Sequence, residues 1–524
     1  MTQMVEPAEV KQWLSDGSEI AFLDVREHGP YGDGHPFFGI PVAYSVFETR
    51  LADVVPNRAV RVVLYDNADG LADLAAARAA ALGYTNVSIM AGGAPAWGAA
   101  GFTLYEGVNL PSKTFGELLE IERHTPRMPS EDVVALAKDK ANHVIVDGRP
   151  WAEYTKFNIP GGICCPNGEL ALRIKEIAPD PETTIIVNCA GRTRSILGAQ
   201  TLIDMGVPNP VYALENGTQG WFLAGLDREE GADRFYPDAP TSADELDALR
   251  TQSKARAAAT GVPYTTADQV ASWLADARRT TYLFDVRTHE EFAADAVPGS
   301  RHAPGGQLVQ ATDQWVGVRG ARLVVMDDDM IRAPMVANWL HQLGHEVYIL
   351  EGGITAARAQ QMPEAATFAP DLLPTMSPAD LAAERDDVQL VDLRPAMTYR
   401  AGHIDGARWS IRPRLDRLGL DASRAVVLVA SSDAVAALAG QRLGELGHTN
   451  IRRLAGDAAA WQSAGLKMAS TPNDPPDAEC IDFLFHTHQR NDGDEAAARA
   501  YLAWELGLVD QMDAQERASF RIAT

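Results

Sequence analysis

One pattern occurs four times along the chain at nearly constant spacing, and it dictates a repeat of whole domains. Each copy holds an apolar strand that runs into an aspartate and an arginine two residues apart: FLDVRE (22–27), VIVDGRP (144–150), LFDVRTHEEF (283–292) and LVDLRPAMTY (390–399). Eleven residues after Asp24, Asp147, Asp285 and Asp392 comes a turn, HPFFG, NIPGG, AVPGS or HIDGA. A second apolar strand follows (VRVVLYD, TTIIVNC, RLVVMDD, AVVLVAS). After it come a helical stretch, a short strand, and MAGGAPAWGAAG, LENGTQGWFLAG, LEGGITAARAQ or LAGDAAAWQSAG. From first aspartate to the end of the second strand is 42 residues in three copies (Asp24 to Asp66, Asp147 to Cys189, Asp285 to Asp327) and 38 in the fourth (Asp392 to Ala430). Units of about 100 residues are long enough to bury their own cores.

Short apolar strands alternating with helices predict right-handed crossovers and an α/β fold, a parallel sheet covered on both faces in each copy. The expected modules are 1–105, 129–228, 262–362 and 363–470. Linkers lie at 106–128 and, as a helix through DELDALRTQSKARAAA, at 229–261. An extension covers 471–524, with EAAARAYLAWELGL expected to be helical. SPAD (377–380) and TADQ (266–269) place a hydroxyl at a helix start and an acid or amide three residues later, a capping pattern.

The net charge of −25 argues against nucleic acid or an anionic membrane as the main partner, because both reward clustered Lys and Arg. No stretch reaches the about 20 apolar residues of a membrane span. The opening MTQMVEPAEVKQWLSDG lacks the basic start and apolar core of a signal peptide, so a cytoplasmic location is expected. Four cysteines cannot make a disulfide framework, and any special one serves chemistry.

Cys189 is that candidate. In NCAGRTRSILGAQTL (188–202) it stands where a strand ends and a helix begins, the place where parallel sheets gather reactive groups. The helix start leaves amide N–H groups without internal partners and adds a positive dipole end. Gly191 is expected to allow a tight turn. Arg192 and Arg194 bring fixed charge and planar donors for an oxyanion. All three effects favour a thiolate, and the same donors suit an anion such as thiosulfate. Ile196, Ala199, Gln200 and Ile203 fall on one face of the following helix, which is expected to bury against the sheet.

These residues resemble the rhodanese family of sulfurtransferases. VIVDGRPWAEY with NIPGG is similar to the family's Leu-Asp-x-Arg, Glu-Tyr and His-Ile-Pro-Gly-Ala signatures. CAGRTRS resembles its active-site loop, and LENGTQGWFLAG its closing Leu-x-Gly-Gly-x-x-x-Trp motif. The resemblance covers residues 1–470 and implies four tandem rhodanese-like domains, each a parallel sheet of about five strands flanked by helices. It implies ping-pong chemistry: Cys189 takes a sulfane sulfur as a persulfide and passes it to a thiophilic acceptor, cyanide or a thiol. Substrate contacts then fall to Ala190, Gly191, Arg192, Thr193, Arg194 and Ser195, without cofactor or metal. Asn158 replaces the family's histidine and Asn216 one of its glycines, departures expected to tune the site only. Phosphatase relatives carry a longer Cys-x5-Arg loop, whereas here Arg194 stands at Cys+5 and Ser195 at Cys+6. The loop also lacks the Cys-Gly-Ser/Thr-Gly-Val pattern of mercaptopyruvate enzymes, which favours a thiosulfate-like donor. Delivery of the sulfur to a protein acceptor is the alternative, and phosphatase or arsenate-type chemistry a weaker one.

Asp66, Asp327 and Ala430 occupy the cysteine position in modules 1, 3 and 4, which are therefore expected to be non-catalytic. Asp147 and Arg149 form an expected structural pair, since Asp24/Arg26, Asp285/Arg287 and Asp392/Arg394 recur without a nucleophile. Trp97, Trp221 and Trp461 recur likewise and read as core. Cys164 and Cys165 are expected to be packing residues rather than resolving thiols, as is Cys480. His486, His488 and Asp492 lack a third close ligand and read as a polar surface turn.

Overall fold

The computed structural model describes residues 2–237, 242–364, 367–485 and 493–523. His486, His488 and Asp492 lie outside the described residues.

Each repeat folds around its own five-stranded parallel sheet, with the strands in the order first, fifth, fourth, second, third. In module 2 the strands are Arg127–Met128, His143–Asp147, Ile163–Cys164, Thr184–Asn188 and Val211–Leu214. Registers such as Asp147 opposite Asn188 and Cys164 bring the chemistry-bearing strand ends to one edge. The central strands read as unbroken apolar runs because both faces are covered: Ile185, Ile186 and Val187 are fully buried. Module 4 adds an antiparallel pair, His403–Ile404 with Met468–Ala469, which the parallel pattern does not predict.

The capping signals operate. Ser377 and Thr266 each accept the amide N–H three residues on. The helical linker runs Ala243–Ala259 and opens with a capping box between Ser242 and Glu245. The tail stretch forms the helix Glu495–Leu506. Trp97, Trp221 and Trp461 are buried, each donating its indole N–H to a backbone carbonyl.

One continuous apolar core runs through modules 1, 2 and 3, while module 4 keeps separate clusters. Polar contacts lock the modules together. Arg412 of module 4 reaches both Glu48 oxygens of module 1 at 2.5 and 2.6 Å, and all these groups are buried. Arg332 of module 3 meets Glu169 of module 2 at 3.0 Å. Between them the backbones come so close that a Cβ on Gly168 would lie 2.8 Å from the amide nitrogen of Gly306.

The segment 106–128 is more than a connector. It contains the helix Leu110–Arg123, whose Leu110, Phe115, Leu118 and Leu119 are all buried, worth roughly 1.5–3 kcal/mol each. It packs along the helix that follows Cys189, Thr193–Asp204. This corrects the expectation of a one-sided helix there. Residues 193–202 are buried all round, while Ile203, assigned to the buried face, is 36% exposed.

Candidate active site

Cys189 follows directly on the strand Thr184–Asn188, and four residues later the chain enters the loop helix Thr193–Asp204. The strand end is set from behind. Asn188 donates through Nδ2 to Asp147 Oδ2 at 2.9 Å, and the amide of Gly148 reaches the Asn188 carbonyl at 2.9 Å. Arg149 clasps Asp147 and donates through Nη2 to the Phe157 carbonyl at 2.6 Å. Arg26, Arg287 and Arg394 repeat that reach onto Gly34, Asp295 and Gly402, so this pair braces the strand end in every module.

The closing motif holds the loop from below. Thr218 and Gln219 donate their amides to the carbonyls of Cys189 and Ala190 at 2.9 and 3.1 Å. Gly217 has φ +55°, and a Cβ there would collide with the Cys189 carbonyl. Asn216, at the departed glycine position, adopts the left-handed conformation that asparagine tolerates (φ 61°). It does more than fill space: its Oδ1 accepts from Arg192 Nη1 at 3.1 Å. Asn158 sits where His35 and His403 stack on Tyr31 and Tyr399 in modules 1 and 4, and it is fully buried.

The thiol is 2% exposed and lines a cavity of about 730 Å³. Ser195, on the first turn of the loop helix, donates through Oγ to Cys189 Sγ at 3.1 Å. Ala190, Gly191, Arg192, Thr193 and Arg194 share the cavity wall, while Ser195 reaches the sulfur from within the fold. Module 1 contributes Gly32 and Asp33 to the wall, the linker Lys113, module 3 Gln307 and Gln310, and the tail helix Tyr501, Trp504 and Glu505. The site is thus assembled from five parts of the chain.

Both loop arginines are engaged by carboxylates. Arg192 forms a two-point pair with Glu117 of the linker helix and also meets Glu120. Burial pushes the Glu117 carboxyl up to about 7, against the pull of Arg192. Arg194 forms a two-point pair with Glu153 at 2.7 and 2.8 Å. Burial opposes its charge, but Glu153, and Cys189 nearby, hold the guanidinium above its ordinary range. Gly191 does not have a left-handed φ. What requires a glycine there is the tail, since a Cβ would lie 2.8 Å from Glu505 Oε2 and 2.9 Å from Tyr501 Cε1. Glu153 is the acid of the Glu-Tyr signature, but Glu117, Lys113 and the tail residues carry no motif of their own, and only the fold reveals them.

The corresponding loop of module 3 shows what its amides can hold. Asp327 accepts from the backbone N–H groups of Met330, Ile331 and Arg332 at 3.1, 3.1 and 3.0 Å. Burial pushes its carboxyl up to about 6, while Arg332 and those amides pull the other way. Arg332 pairs with Glu291 as Arg194 pairs with Glu153, at the same register positions. In module 1, Asp66 accepts from Ala68 and Ala72 at 2.8 and 3.0 Å.

The other thiols are sealed. Cys164 and Cys165 have no exposed surface, and burial pushes Cys164 up to about 12 and Cys165 well above the ordinary thiol range. Cys480 is 1% exposed and points to the Pro476 carbonyl at 3.5 Å. Among the described residues, no helix is long and apolar enough to cross a membrane.

Comparison with known proteins agrees with this architecture. The family model described as "Rhodanese-like domain" matches residues 6–100, 130–224, 266–360 and 377–464. The crystal structure of thiosulfate sulfurtransferase from Pseudomonas aeruginosa is similar over 100% of both chains, at 39% identity and a TM-score of 0.91. A curated relative, the HTH-type transcriptional regulator Rv0324 of Mycobacterium tuberculosis, is 36% identical over 88 residues; the match covers 17% of this chain and spans 38% of that protein's length. With four matched segments, each built on a five-stranded parallel sheet flanked by helices, the chain belongs to the rhodanese family.

Proposed function

We propose that the protein is a sulfurtransferase that moves a sulfane sulfur from a thiosulfate-like donor to cyanide or a thiol through a persulfide on Cys189. The observation that carries this reading is the thiol's position. It faces a cavity at the start of a helix whose first turn, among the described residues, has no capping side chain. The equivalent amides of module 3 are filled by the Asp327 carboxylate. Arg192, Thr193 and Arg194 stand at the register positions of Met330, Ile331 and Arg332, so their amides are the donors a terminal persulfide sulfur would meet. Because both guanidiniums are taken, anion stabilisation falls chiefly to these amides and the helix dipole.

In the first half-reaction the Cys189 thiolate attacks the outer sulfur of the donor. A Cys189 S–S bond forms as the donor's S–S bond breaks, and the electron pair leaves with sulfite. In the second, the acceptor attacks the outer persulfide sulfur, takes it, and returns Cys189 as the thiolate. Modules 1, 3 and 4 act as non-catalytic scaffold, since Asp66 and Asp327 occupy their own loops and Ala430 is inert.

Intact mass after thiosulfate treatment tests the proposal. The wild type should gain about one sulfur atom, roughly 32 Da, and Cys189→Ala none. Multiple turnover with cyanide supports small acceptors; a persulfide discharged only by a partner protein would support the carrier reading. Hydrolysis of an aryl phosphate dependent on Cys189 would overturn both.

A further inference from the structure

Two charged walls of the Cys189 cavity come from segments that no repeat supplies. Lys113, on the linker helix, is 6% exposed, and Glu505, on the tail helix, is 1% exposed; both line the cavity. Lys113 Nζ lies 3.3 Å from Glu505 Oε1 and donates to the Tyr501 hydroxyl. It also stands 4.5 and 5.0 Å from the ring centroids of Tyr501 and Trp504, within cation–π range. Glu505 Oε1 accepts from Tyr501 at 3.1 Å and from Thr193 Oγ1 at 3.2 Å. Its Oε2 stands against Gly191. The carboxylate therefore holds the Cys189 loop through Thr193, packs close against Gly191, and meets the lysine through Oε1.

Burying an ammonium and a carboxylate is unfavourable even when they pair, so such a pair is weak evidence for stability. Kept in the wall of a reactive cavity, it shapes the field that a substrate meets. The loop arginines are committed to Glu117, Glu120 and Glu153, and the other charged lining residues, Asp33 and Glu106, are exposed to solvent, which screens them; Lys113 and Glu505 are the buried charges beside the Cys189 loop.

We propose that the buried Lys113–Glu505 pair sets the charge selectivity of the Cys189 cavity. Lys113 draws anionic substrates toward the sulfur, and Glu505 limits that attraction while positioning the Gly191–Thr193 limb of the loop. The proposal rests on reading Cys189 as the nucleophile.

The test uses the full-length protein and two alkylating reagents of similar size, anionic iodoacetate and neutral iodoacetamide, with labelling of Cys189 followed by peptide mass mapping. The ratio of the two rate constants cancels changes in thiol ionisation and in general access, which affect both reagents alike. Lys113→Met should lower the iodoacetate:iodoacetamide ratio, and Glu505→Gln should raise it, each by about threefold or more. Lys113→Arg should restore the wild-type ratio. A purely structural role would not move the two variants in opposite directions. Ratios that stay unchanged, or shift the same way in both variants, overturn the proposal while leaving Cys189 as the nucleophile. Failure of both reagents to label wild-type Cys189 overturns the nucleophile and the pair together. Should Lys113→Met not fold, Glu505→Gln decides alone: a raised ratio supports the pair, an unchanged one overturns it.

Discussion

Arg192 and Glu117 form a two-point ion pair, Nε to Oε1 at 2.7 Å and Nη2 to Oε2 at 2.9 Å, and both side chains are buried. The pair ties the third residue after Cys189 to a helix outside the repeats. Removing one partner of such a pair strands a buried charge. Glu117→Ala should therefore lose about 3 kcal/mol of stability, read by urea unfolding. It should also lower thiosulfate–cyanide turnover at least about tenfold, because a loop displaced by about 1 Å can cost 100-fold.

The same carboxyl gives a pH signature. Burial raises Glu117 from its ordinary 4.5 to about 7, so between those values the folded chain holds a proton that the unfolded chain releases. Its contribution to stability is complete below pH 4.5 and is lost as the pH climbs to about 7. Glu117→Gln lacks this titration. The thermal midpoint of wild type minus variant should fall as pH rises across that window; a difference that grows would contradict the assignment.

Gly191→Ala places a methyl group 2.8 Å from Glu505 Oε2 and against the Tyr501 ring. Either the loop or the tail helix must shift. Turnover should drop at least about tenfold, with a destabilisation of about 1–3 kcal/mol, as expected for overpacking. Wild-type turnover in this variant would mean that the tail yields without consequence.

Asp327 satisfies three backbone amides in module 3. Asp327→Ala should cost about 2–4 kcal/mol by leaving buried donors unpaired. Asp327→Cys introduced into Cys189→Ala should take up no sulfur from thiosulfate, since that position is buried and, unlike Cys189, is not part of the cavity lining. A mass gain of one sulfur atom in the double variant would refute the assignment of module 3 as scaffold.

Arg412 is not among the residues that line the Cys189 cavity, and it bridges modules 4 and 1 through Glu48. Arg412→Ala should destabilise by about 3–5 kcal/mol and leave turnover unchanged at temperatures where the protein stays folded. Lost activity without lost stability would place module 4 in the reaction.

Much of this was legible in the sequence, for a physical reason. Strand ends such as Asp147 and Asn188 and the closing glycines obey short-range backbone geometry, which leaves a residue pattern that four copies repeat. Glu117, Lys113 and Glu505 obey no local rule. They reach the loop through packing between segments hundreds of residues apart in the case of the tail, and nothing near them in the chain records the contact. Gly191 lies in the bend at 190–192, as local chemistry suggests, but the Cβ clash it avoids is with a helix more than 300 residues later, which the sequence does not record. Ile196, Ala199 and Gln200 are buried as the periodicity predicts, but Ile203, in the last turn of the helix, is exposed; the linker helix packs along the same helix, and the remaining positions of 193–202 are buried as well, which no periodicity within the helix records.

Lys11, near the start of the chain, forms ion pairs with Asp513 and Glu516 at 2.7 and 2.8 Å, and Tyr105 donates to Glu516 at 2.5 Å. The tail that helps wall the Cys189 cavity is thus buckled onto the first module. An excised second module would keep its cysteine yet lose that wall and most of its chamber. A bulky fusion at the carboxyl end would pull on the buckle. For an assay of Cys189, the smallest piece worth testing therefore runs at least from Lys11 to Glu516.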